Sequence, residues 1–165
     1  MPGGEPLSGR RARPAAVLAA GALAGWLLTG CTAEVALEQP APQGAAAEVC
    51  TQLVADLPAA VAGQTARDVT GPATGKLTAA WGTPPITLRC GVAEPAALEP
   101  TSQCFEVEGV GWFAEPATDG YLFTTIGRTA FVEVGVPSRY APEADVLVEL
   151  APLVREHDPV LQPCV

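Results

Sequence analysis

The side chain with the most specific chemical context in this chain is the thiol of Cys31, which closes the tetrapeptide Leu28-Thr29-Gly30-Cys31. A small residue before the cysteine lets a peptidase reach the bond, an apolar residue three positions earlier seats in the membrane, and the thiol can carry diacylglycerol through a thioether. Upstream, Arg10, Arg11 and Arg13 form a positive segment, and residues 15–28 are nearly unbroken apolar sequence. This is the layout of a cleaved export signal. It predicts a lipoprotein signal peptide at residues 1–30 and a lipidated Cys31 that anchors the mature chain at the outer face of the cell membrane. Two or more acyl chains hold a protein at a bilayer stably, and one does so only marginally. The apolar stretch of about 17 residues lies at the lower limit for spanning a bilayer, which leaves a single-pass anchor or a secreted form as the alternatives.

Cleavage there leaves six basic against 17 acidic residues, a net charge near −11. Binding to nucleic acid or to anionic headgroups needs clustered Lys and Arg, so both are excluded as partners. With Cys31 assigned to lipid, Cys50, Cys90, Cys104 and Cys164 remain. An even number in an exported domain reads as two disulfides with three possible connectivities. Cys90 with Cys104 and Cys50 with Cys164 is the favoured pairing. With one histidine and no CxxC pair, no metal is expected.

The other side chains capable of chemistry are scattered. His157 lies among Arg155, Glu156 and Asp158 near an expected helix end, where a solvated histidine suits the helix dipole. Ser102 and Ser138 are the only serines after the leader, and neither sits in a G-x-S-x-G elbow. No phosphate-cradling loop, DxDxDG loop or HExxH helix occurs, so no cofactor is expected. Glu106 and Glu108 share one face of an expected strand, Arg89 and Arg128 are candidate anion contacts, and Trp81 and Trp112 each adjoin a glycine. A pocket holding Trp81, Trp112 and Arg89 would suit a small molecule or a glycan. Tyr121, Phe123 and Phe131 are expected together on the sheet face opposite the valines of their hairpin, as an interaction surface.

These residues must be positioned by a small set of elements. Residues 31–44 carry two prolines and little apolar periodicity and read as a flexible tether, so a single domain is expected over 45–165. Val49, Leu53, Val54 and Leu57 recur at helical spacing before Pro58, predicting a helix at 45–56. Residues 63–76 have no sustained period and read as loop with room for one short extended piece. Residues 86–90 alternate as a half-buried strand does, residues 104–108 and 110–114 flank Gly109, and residues 121–126 and 129–136 form a hairpin at Gly127-Arg128. A second helix follows at 142–156, in which Pro152 removes a backbone donor and should bend or split the last turns. Two helices bracketing the strands predict an α+β two-layer sandwich, an antiparallel sheet of four to five strands with both helices on one face.

Several pieces, in this order, carry a likeness: Cys50-x-x-Leu53 leading to Leu57-Pro58, Thr78-Ala79-Ala80-Trp81-Gly82, Leu88-Arg89-Cys90-Gly91-Val92 with Pro95, Val110-Gly111-Trp112, Phe123-Thr124-Thr125-Ile126-Gly127-Arg128 and Val132-Glu133-Val134. Over about residues 46–150 the chain resembles the actinobacterial family known as domain of unknown function 3515. The resemblance implies an exported or lipid-anchored protein of high-GC Gram-positive bacteria and carries over no activity and no site residues. The sequence thus points to a non-enzymatic envelope domain that binds another component, with an envelope protein as the expected partner and a small-molecule or glycan module as the alternative.

Overall fold

A computed structural model describes residues 33–70 and 76–164. The leader and Cys31 lie outside the described residues. The chain runs β1 (Val35–Ala36), α1 (Ala45–Ala55), β2 (Ala60–Val61), β3 (Gln64–Arg67), β4 (Val69–Thr70), β5 (Thr78–Trp81), β6 (Ile86–Cys90), β7 (Phe105–Val107), β8 (Val110–Pro116), β9 (Tyr121–Thr125), β10 (Val132–Val136), a 3-10 turn at Ser138–Tyr140 and α2 (Asp145–His157). Eight strands form one antiparallel sheet in the order β2-β3-β5-β6-β10-β9-β8-β7, while β1 and β4 pair separately in parallel. The α+β class holds, but the sheet exceeds the four to five strands expected. Those five correspond to β6 through β10. The additional β2, β3 and β5 are only two to four residues long and rich in Ala, which is depleted in strands.

Two tight turns share one requirement. Ala62 and Gly63, and again Glu108 and Gly109, all have positive φ, as a two-residue type I′ hairpin demands. Glu108 therefore belongs to the turn and does not share a strand face with Glu106.

The core lies against one sheet face. Ile86, Leu88 and Cys90 of β6 and Val132, Val134 and Val136 of β10 are buried together with Cys50 and Leu53 of α1 and Val146, Leu147, Leu150 and Val154 of α2. Alternation sends Arg89 and Glu133 to the other face. α2 begins three residues later than expected, after turns at Pro142, Glu143 and Ala144, and it runs unbroken through Pro152. The carbonyl that Pro152 deprives of a partner is that of Val148, which is exposed and can be solvated.

The cysteines pair as Cys50–Cys90 and Cys104–Cys164, with Cα separations of 5.4 and 6.0 Å. This corrects the expected connectivity. Cys90 ends β6 on the α1 face, whereas Cys104 precedes β7, four strand steps away. At about 4.8 Å per step that is roughly 19 Å, far beyond the 7 Å or so that a disulfide spans.

Residues 33–43, expected as part of a flexible tether, instead dock along the domain. Val35 is buried, with its N–H bonded to the Asp68 carbonyl at 2.9 Å. Gln39 donates to Thr78 Oγ1 and accepts the Leu77 N–H at 3.1 Å. Arg67 reaches the Ala33 carbonyl, and a Cβ at Gly91 would collide with the Pro42 ring. Thr78 is buried on the face away from the helices, and Gln39 of this segment lies over it.

Candidate functional site

The expected aromatic surface does not form. Phe123 pairs with Val134, and Tyr121 with Val136. Cross-strand partners project to the same face, so these rings point with the valines. Phe123 is 4% exposed and meets Phe105 edge-on at 5.9 Å, while Tyr121 stacks on Phe123 at 5.9 Å and is 40% exposed. Phe131 goes to the opposite side, where it lines a cleft of about 430 Å³ with Leu98, Pro100, Ser102 and Ile126. Its carbonyl accepts the N–H groups of Gly91 and Val92 at 2.9 and 3.2 Å.

Nor do the expected ligand contacts converge. Trp81 and Trp112 are fully buried on strands four steps apart, roughly 19 Å. The Trp81 indole donates to the Pro58 carbonyl at 2.9 Å, and the Trp112 N–H is buried with no partner among the described residues. Arg89 forms a bidentate pair with Glu133 at 2.8 and 3.0 Å, with Glu38 3.9 Å away. The bond to Glu133 raises the arginine pKa over the opposing effect of burial. Arg89 is thereby neutralised rather than offered to an anion.

The remaining candidates are also engaged. His157 Nε2 lies 2.9 Å from Asp56 Oδ2, outside hydrogen-bond geometry, which brings α2 against the end of α1. Ser102 Oγ accepts the Glu99 N–H at 2.8 Å, and Ser138 Oγ donates to Asp119. Arg128 is buried, donating to the Asp158 carbonyl and to the Gly109 carbonyl at 2.9 Å. Asp158 is fully buried and accepts the Thr129 N–H at 2.9 Å and the Ala130 N–H at 3.3 Å. In the sequence it looks like one more charge beside His157. Only the return of the tail to residues 127–130 reveals its role. Among the described residues no group of three or more His, Cys, Asp or Glu side chains is placed to hold a metal, and no helix there is long and apolar enough to cross a membrane.

Among the clefts of the described residues, a small one of about 230 Å³ is lined almost wholly by apolar side chains: Ala114, Tyr121, Phe123, Pro142 and Ala144, with Glu143 beside them. It lies where α2 starts too late to cover the ends of β8 and β9. The chain is thus a disulfide-bonded α+β domain with a small apolar notch at the ends of β8 and β9. Over residues 14–161 the chain matches the family described as Protein of unknown function (DUF3515), and it belongs to that family. No curated protein and no solved structure matches it.

Proposed function

We propose that this protein is a non-enzymatic interaction module of the cell envelope, held at the outer face of the membrane by a lipid on Cys31, and that it engages a protein partner through the Tyr121 notch. In this reading the module is a two-layer sandwich, with both helices on one face of the sheet. The observation that carries the reading is the pair of disulfides, Cys50–Cys90 and Cys104–Cys164, because such bonds persist in oxidising compartments outside the cytoplasm. The engagement of Arg89, Arg128, His157 and Asp158 in internal contacts supports a binding role over catalysis, since general acid–base chemistry needs a titratable group facing a substrate. A glycan or small-molecule site built from Trp81, Trp112 and Arg89 is set aside, because these residues do not meet.

Mass spectrometry of the protein extracted from membranes tests the anchor. The expected mature chain begins at Cys31 and carries diacylglycerol, and Cys31→Ala leaves the precursor unprocessed or released. An unmodified N-terminus elsewhere overturns the anchored reading. A photo-crosslinking residue in place of Tyr121 should give one discrete adduct in the cell envelope, and the same probe at Val148, exposed on α2, should not.

A further inference from the structure

The Tyr121 notch lies beside an open strand edge. β7 covers β8 only as far as the Phe105–Trp112 pair, whereas β8 continues to Pro116 against β9. Residues 113–116 therefore have a strand on one side only.

Hydrogen-bond alternation settles which groups face the gap. Val107 and Val110 flank the two-residue turn and form a bonded pair, so Val110, Trp112, Ala114 and Pro116 present their backbone groups toward the β7 side. In agreement, the Gly111 carbonyl points the other way and accepts the Ile126 N–H at 3.0 Å. The half-buried Ala114 thus aims an N–H and a carbonyl where β7 has already ended, and among the described residues neither has a partner there. The chain before β7 swings away from this edge, leaving a cleft of about 560 Å³ between Ala114, Phe105 and residues 101–104. On the helix side, Ala114 also forms one wall of the notch. An edge that offers backbone bonds at strand spacing, with an apolar hollow beside Ala114, matches the way extended peptides are bound.

We propose that this edge accepts an extended segment of a partner protein as an added strand, bonded to Ala114 and to the Pro116 carbonyl, with alternate apolar side chains entering the notch. The inference rests on the interaction-module reading and names the mode of binding. Charge selects the occupant. Glu143 rims the notch, Glu115 lies on the open stretch of β8, and Glu106 is exposed on β7, so the segment carries Lys or Arg beside its apolar positions. A second mature copy of this chain, with a net charge near −11, would set acidic rim against acidic rim.

The test is selection of random 12-residue peptides on phage against the full mature protein in detergent, followed by synthesis of the best binder with each backbone amide N-methylated in turn. The expected peptides alternate apolar and polar residues with flanking Lys or Arg. Methylation should cost about tenfold in affinity at alternate amides inside the bound stretch and little at those between, as removal of single backbone bonds does. Hydrogen exchange at the Ala114 amide should be fast in the free protein and slow in the complex. Glu143→Lys should weaken binding, and Tyr121→Ala should weaken it while leaving the thermal midpoint within a few degrees. Failure to enrich any peptide, a helical motif, or an Ala114 amide already protected in the free protein overturns the proposal. Binding that is lost in Tyr121→Ala yet indifferent to N-methylation also overturns it, while leaving the interaction-module reading in place.

Discussion

Asp158 carries opposing influences that a pH series can separate. Burial pushes its carboxyl pKa up, while the Ala130 and Thr129 N–H groups and the Arg128 charge pull it down; burial is the larger effect. The native carboxyl therefore holds its proton more tightly than an unfolded aspartate near 3.8. Ionisation costs the native state more than the unfolded one, so this group's contribution to stability is greatest at low pH and is lost as pH rises from 3.8 through the native pKa. Asp158→Asn keeps an acceptor for the two amides and removes the titration. In urea denaturation, the stability of the natural protein relative to this variant should increase as pH is lowered through that window. A difference that stays flat or moves the other way would show that the hydrogen bonds outweigh burial.

Among the elements, the two disulfides do different jobs. Cys50–Cys90 staples α1 onto the middle of the sheet, and Cys104–Cys164 fastens the tail to the edge at β7. Their sequence separations are 40 and 60 residues, for which loop-closure entropy gives on the order of 4 kcal/mol each. Cys50→Ala paired with Cys90→Ala should lower the unfolding free energy by about that amount. Phe123 and Tyr121 are neighbours on β9 with opposite expected costs. Phe123→Ala empties a buried position and should cost about 3–5 kcal/mol, whereas Tyr121→Ala should cost about 1 kcal/mol or less, because its ring is substantially solvated. Equal costs for the two, read by thermal denaturation, would mean that the Tyr121 notch is filled in solution.

Across the whole molecule, the docked segment 33–43 makes the second face of the sheet part of the fold. Without it, Thr78 loses its cover, Gln39 no longer bonds to Thr78 and Leu77, and the Arg89–Glu133 pair becomes more open to water. Deleting residues 33–43 should lower the thermal midpoint by about 5 °C or more and speed hydrogen exchange in β5 and β6 before the rest of the sheet. A deletion with no effect on either would make the segment a passive tether. The excess of acidic groups favours solubility, and under the proposed strand addition the same charge would favour basic segments at the open β8 edge.

Local patterns in the chain were enough for both helices and for the five strands β6 to β10, because three- to four-residue and two-residue apolar periodicities are properties of a single segment. The cysteine count and the motifs from Cys50 to Val134 likewise sufficed for two disulfides and for the family. Tertiary structure decided what depends on which strands are neighbours. Cys90 faces Cys50 because α1 lies over β6, and Cys104 faces Cys164 because the tail returns to β7. Phe123 and Tyr121 point inward because antiparallel pairing sets their partners as Val134 and Val136, a relation that alternation within either strand does not contain. Trp81 and Trp112 read alike in sequence, each beside a glycine, yet four strand steps keep them apart. The docking of residues 33–43 was illegible for the same reason. Its partners, Thr78, Leu77 and Gly91, lie far along the chain, and only the closed sheet brings them together as a surface that needs covering.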